Sequence, residues 1–191
     1  MNKMNKISWL ITAFILFAIT IFPDKDAEAQ WSIGASYEIR DDDPTNGFGV
    51  RLERGILQRL SIIDLSLRAH FSLFNETIEG VGDAQVITQE LQSYDFGLAA
   101  LGGFNVGLVK PYAGLGLGSE NFEIIRPSVN ESFDESSLNW NLFVGAELSF
   151  LGALRPFIEY RYTRLFDDDL FGDDFDYRQN DRLVIGISIN L

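Results

Sequence analysis

The 191-residue sequence contains no cysteine, a single histidine and two methionines. Without cysteine there can be neither a disulfide framework nor a lipid-modified cysteine anchor. A small exported domain lacking disulfides must draw its stability from elsewhere. Positive charge is also scarce. Fifteen Lys and Arg stand against 28 Asp and Glu, a net charge of −13. So acidic a balance argues against a nucleic-acid partner, because phosphate binding needs a basic face. Beyond residue 22 no apolar run approaches the length of a membrane-spanning helix. No linker, low-complexity tract or solenoid-period repeat divides the chain.

The one long apolar run is at the N-terminus. Lys3 and Lys6 precede an apolar stretch from Ile7 to Phe22, interrupted by Ser8 and Thr12, then Pro23 and Ala27-Glu28-Ala29. That order is the layout of a secretory signal peptide cleaved after Ala29. The alternative is a retained anchor helix, for which the run is short against the roughly 20 residues needed. The expected organisation is a signal peptide over 1–29 and one domain over 30–191. Residues 1–29 hold three acids and three bases, so the negative charge belongs to the mature chain.

The mature chain alternates. Trp31, Ile33, Ala35, Tyr37 and Ile39 are separated by Ser32, Gly34, Ser36 and Glu38. A period of two is the signature of a strand with one apolar and one polar face. It recurs at Phe48–Val50–Leu52, Ile63 to Leu73, Tyr94 to Ala100, Ala113–Leu115–Leu117, Leu138 to Phe150, Ile158–Tyr160–Tyr162 and Leu183 to Leu191. Eight runs of about ten residues suit tilted strands crossing a bilayer. Quick returns are expected around 55–60, 105–109 and 152–154. Longer polar loops are expected at 41–47, 75–87, 119–137 and 167–180, where Asp and Glu concentrate. Short turns at one rim and long loops at the other is how outer-membrane barrels are built. Trp31, Phe48, Tyr94, Phe104, Tyr112, Trp140, Phe150 and Tyr162 near run ends suit interfacial girdles.

Alternation does not say which face points inward. A soluble lipocalin-like barrel in the periplasm would have the same period, with its apolar face lining a ligand cavity. The glycines favour the opposite orientation. Gly34, Gly49, Gly97, Gly114, Gly116, Gly118, Gly145 and Gly186 share the polar face with Glu38, Arg51, Asp64, Arg68, His70, Glu147, Glu159 and Arg161. Glycine on a water-facing strand weakens it for no gain. Inside a narrow barrel it makes room for long charged side chains that pair with one another. The expected fold is therefore an all-β, eight-stranded, antiparallel up-and-down transmembrane barrel with a polar lumen network of those eight residues. A three-residue turn at 152–154 would set Glu147 opposite Glu159 and Gly145 opposite Arg161, with Gly145 vacating space for the guanidinium.

The segments Pro111-Tyr112-Ala113-Gly114-Leu115-Gly116-Leu117-Gly118 and Pro156-Phe157-Ile158-Glu159-Tyr160-Arg161-Tyr162 resemble the fifth and seventh strands of the OmpA/OmpX-like outer-membrane β-barrel family. The resemblance covers the mature chain and identifies an architecture, not a task. It implies outer-membrane lipid and lipopolysaccharide as surroundings and the barrel-assembly machinery as a partner during insertion. The last strand departs from the family pattern, with Leu191 where a terminal aromatic is usual.

Chemistry-bearing motifs are few. His70 lies beside Arg68 and Ser72 on the polar face. A barrel enzyme acting on lipid could use His and Ser as base and nucleophile, but parity points His70 into the lumen. Asp167, Asp169, Gly172 and Asp173 have spacings reminiscent of a calcium loop. Phe171 and Arg178 stand where that loop needs oxygen ligands, so a solvated acidic loop is expected. Asn75-Glu76-Thr77 and Asn130-Glu131-Ser132 match a glycosylation pattern that means little in a bacterial protein. No catalytic residue, cofactor or metal site is expected. An eight-stranded barrel is filled by side chains, which argues against a diffusion pore. The expected role is structural, or the presentation of acidic loops to an extracellular ligand.

Overall fold

The computed structural model describes residues 31–57, 63–82, 85–126, 131–149, 153–166 and 179–191. The expected leader, the acidic run 167–176, Gly152 of the third short turn and the acceptor at Asn130 lie outside them. Eight strands follow in chain order: β1 (Trp31–Arg40), β2 (Asn46–Leu57), β3 (Asp64–Gly82), β4 (Gln85–Gly103), β5 (Val109–Arg126), β6 (Glu131–Leu148), β7 (Leu154–Leu165) and β8 (Gln179–Asn190). Each pairs antiparallel with the next, and β1 pairs with β8 from Ser32↔Asn190 to Arg40↔Arg182, closing the barrel. Closure leaves no open edge within the wall, the condition for a sheet in hydrocarbon.

The alternation sorts side chains as the pleat requires. Outward, Phe48, Leu115, Leu117 and Leu138 stand exposed, and the apolar positions of every strand join into one belt. Inward, Glu38, Arg51, Arg68, Asp95, Glu159 and Arg182 are buried. A lipocalin-like arrangement, with the apolar face inside, is the reverse of this.

Two of the expected long loops are strand instead. β3 and β4 stay paired through Gly82↔Gln85, and β5 and β6 through Arg126↔Glu131. Pairing of β2 with β3 ends at Gly47↔Phe74, whereas β4 and β5 stay paired up to Glu90↔Ile125. Strands β3 to β6 therefore rise past the rim as a four-stranded wall. Its described outward side chains include Asn75, Thr77, Gln92 and Asn121, which are polar. The period-two signal arises from lipid on one side of a strand. Above the bilayer that contrast disappears while the ladder continues, so these strands read as loops.

The β6–β7 register also differs from expectation. The ladder ends at Glu147↔Phe157, with Gly145 opposite Glu159 and Phe143 opposite Arg161. It stops just before Pro156, which has no N–H to donate. The displacement is two residues. An even slip keeps every side chain on its face, so membership of the lumen survives while its pairings change.

Candidate functional site

Among the described residues, polar chemistry is concentrated in the interior. Five carboxylates (Glu38, Asp95, Glu120, Glu147, Glu159) and five guanidinium groups (Arg40, Arg51, Arg68, Arg161, Arg182) are buried there, so their formal charges cancel. Toward the long-loop rim, Arg40 Nη2 donates to Glu120 Oε1 at 2.5 Å and Arg182 Nη1 to Asp95 Oδ2 at 2.5 Å. Ser93 Oγ adds a bond to Glu120 at 2.8 Å. Toward the short-turn rim, Arg51 Nη2 donates to Glu147 at 2.7 Å. Arg68 pairs with both Glu159 and Glu53, and the Tyr112 hydroxyl donates to Glu159 at 2.8 Å. Arg161 joins the two groups. Its guanidinium lies 3.2 Å from Glu159, 3.6 Å from Asp95 and 3.7 Å from Glu38.

Aromatic rings form the floor on which these arginines lie. Arg40 stacks 3.5 Å from the Phe74 ring centre and Arg51 3.4 Å from that of Phe157. Arg68 and Arg161 flank Phe143. Each ring faces a glycine on the neighbouring strand: Phe74 opposite Gly47, Tyr112 opposite Gly145, Phe143 opposite Gly114 and Phe157 opposite Gly186. A Cβ on Gly145 would come within 2.6 Å of the Tyr112 ring, and one on Gly186 within 2.5 Å of Phe157. Gly145 thus makes room for Tyr112, not for Arg161 as the expected register had it. Glycine gives space, an aromatic ring folds into it, and an arginine lies on the ring with a favourable cation–π contact.

Of the eight expected network residues, Glu38, Arg51, Arg68, His70, Glu147, Glu159 and Arg161 are buried together. Asp64 is apart. It opens β3, reaches only the short-turn mouth, and pairs there with Lys110 at 3.2 Å while a quarter exposed. Arg40, Asp95, Glu120, Arg182 and Glu53 belong to the network and were not singled out from the sequence. Tyr112, expected in an interfacial girdle, is buried in the lumen instead because Gly145 opposite it leaves room for its ring. Asp95 already shared the polar parity of its strand. Arg40, Glu120 and Arg182 border segments that read as loops, and that concealed them. His70 rests edge-on against Phe143, with Nε2 3.7 Å from Asp95 Oδ2. Neither ring nitrogen has a hydrogen-bond partner among the described residues. Ser72 Oγ donates to Glu38 at 3.0 Å and not to His70. Each buried carboxylate already faces a guanidinium, and no cluster of potential metal ligands occurs among the described residues.

A closed eight-stranded barrel with lipid-type residues outside and an ion-paired lumen matches one family along most of its length. The Outer membrane protein beta-barrel domain family matches residues 10–188. The chain belongs to this family. Its place is therefore the bacterial outer membrane. No relative among curated proteins matches the sequence. Among solved structures, Neisserial surface protein A is similar over 86% of this chain and 98% of its own, at 14% identity and a TM-score of 0.59. A major outer membrane protein from Thermus thermophilus is similar over 86% and 100%, at 15% identity and 0.58. Ail, the attachment invasion locus protein of Yersinia pestis, is similar over 86% and 100%, at 15% identity and 0.54. At these identities the likeness is one of fold. This outer-membrane barrel has the architecture of all three.

Proposed function

We propose that this outer-membrane barrel is a non-enzymatic protein that acts through the surface it presents beyond its long-loop rim, in a structural or ligand-binding role. The observation that carries this reading is the pairing of a lumen crossed by ion pairs with a strand-paired wall above it. Arginines, carboxylates and rings cross the interior from both rims, which supports a rigid support and not a conduit. Against an enzyme stands the geometry of His70, which is buried and makes no hydrogen bond to Ser72. A general base must reach its nucleophile, directly or through one water. Export through a signal peptide cleaved after Ala29, insertion by the barrel-assembly machinery, and lipopolysaccharide around the long-loop rim complete the proposal. The ligand itself would meet the acidic extracellular side, where the β3–β6 wall stands.

The test has two arms. Protein reconstituted in planar bilayers should show no sustained single-channel current. On intact cells, an antibody against residues 75–92 should bind without permeabilisation. A stable open conductance, or binding only after the outer membrane is breached, would overturn the reading. An unaltered lipid A acylation pattern in cells expressing the protein is expected as well. A change abolished by His70→Ala would make it an enzyme.

A further inference from the structure

The β4–β5 turn has the make-up of a membrane-embedded segment. Phe104, Val106 and Leu108 project from it at 48%, 57% and 61% exposure. A hairpin tip standing in water normally carries Asn, Asp or Gly at such positions. Here the only glycine is Gly107, at φ 63°, in the first central position of the two-residue turn. The polar side chains of the hairpin are tied toward the barrel mouth. Asn105 Nδ2 donates to Asp64 at 3.3 Å, and Lys110 pairs with the same carboxylate at 3.2 Å. Part of the backbone is tied down as well. Val106 and Val109 exchange both bonds, Phe104 N donates to Pro111 O, and Ser149 N donates to Leu108 O. Each main-chain group satisfied within the protein lowers the cost of bringing the segment into lipid.

The height of the belt agrees. Tyr94, a girdle-type residue near the opposite rim, lies on the outward face of β4, and Phe104, the residue after the strand, continues the same parity. At about 3.4 Å per residue and a tilt of about 40°, the strand between them rises about 25 Å, the height of a barrel's apolar band. Phe104 therefore lies where that band ordinarily ends, and Val106 and Leu108, exposed beyond it, are again apolar.

We propose that the β4–β5 turn is buried in the lipid of the inner leaflet, so that the belt's contact with acyl chains continues over the tip of this hairpin. The occupant of the patch is lipid because the patch is continuous with the lipid-facing belt through Phe104 and Val109. The inference rests on the outer-membrane reading and adds the depth at which the short-turn rim sits.

The chain has no cysteine, so Leu108→Cys provides a unique thiol for an environment-sensitive fluorophore. Thr77→Cys on the outer face of the wall and Leu117→Cys in the middle of the belt serve as references. Each variant is folded into phosphatidylethanolamine–phosphatidylglycerol vesicles and quenched separately with aqueous iodide and with lipid carrying an acyl-chain nitroxide. The label at 108 should emit to the blue of that at 77, lose most iodide quenching, and be quenched by nitroxide lipid. Iodide quenching comparable to position 77 would overturn the proposal, whatever the lipid does. Protection from both quenchers would also overturn it and assign the patch to a second protein surface. Absence of lipid quenching at position 117 would instead mean that the membrane reading itself had failed.

Discussion

At the scale of single residues, the lumen works through triplets of glycine, aromatic ring and arginine, and these make sharp predictions. Gly145→Ala would press a methyl group into the Tyr112 ring and to 2.7 Å from the Ile158 carbonyl oxygen. Overpacking of that kind costs about 1–3 kcal/mol. Gly102, on the outward face, has only Leu65 Cδ2 at 3.7 Å from such a methyl. Gly102→Ala should stay within about 0.5 kcal/mol. Urea titrations of both variants in detergent or lipid vesicles check the contrast, and equal effects would remove the steric explanation. A second contrast concerns charge. Arg161→Ala would strip the shared cation from Glu38, Asp95 and Glu159, all buried. Breaking buried pairs in this way costs roughly 3–5 kcal/mol. Lys110→Ala removes a partner from Asp64 at the solvent-open mouth, where such pairs contribute about 0–1 kcal/mol. The same titrations should rank Arg161→Ala far below Lys110→Ala in stability.

At the scale of elements, the tall strands divide into two functional lengths. The lower part of β3 and β4 builds the bilayer wall, while residues 75–82 and 85–92 pair above the rim. Among the described side chains of that upper part, Glu76 accepts from the Thr45 N–H and none belongs to the lumen network. Replacing residues 78–89 by Asn-Gly, a favoured two-residue turn, joins Thr77 to Glu90, which are already paired. The shortened protein should keep its heat-dependent gel mobility and unfold at nearly the same urea concentration. Loss of folding would show that the wall stabilises the barrel and does not merely stand on it. The β6–β7 register teaches a related lesson. Hydrophobic pattern specifies a strand's face, but positions two residues apart on that face look alike to it. Choosing between them depends on the turn and on where Pro156 lets the ladder stop.

At the scale of the whole molecule, stability comes from closure. Every wall strand has two partners, including β1 with β8, and the lumen pairs tie opposite sides together through Arg40–Glu120 and Arg51–Glu147. A barrel of this kind resists mild detergent. The protein should therefore fractionate with outer membranes and migrate differently on gels with and without boiling. Recovery in the soluble periplasmic fraction after osmotic shock is the result that would contradict the fold's setting.

The sequence by itself determined the strand number, the antiparallel order and which face of each membrane-level strand turns inward. Each of these follows from a period of two read against lipid on one side, a signal local to each strand. Tertiary structure alone decided which lumen residues meet. Arg40 reaches Glu120 and Arg68 reaches Glu159 across the barrel, and no spacing along the chain encodes a contact made through closure. It also decided how tall the wall is, because strands in water on both faces lose the contrast that makes them legible. Gly145 shows both halves. Its parity marked it as an interior space, but only the β5–β6 register, which sets Tyr112 opposite it, assigned that space to the Tyr112 ring.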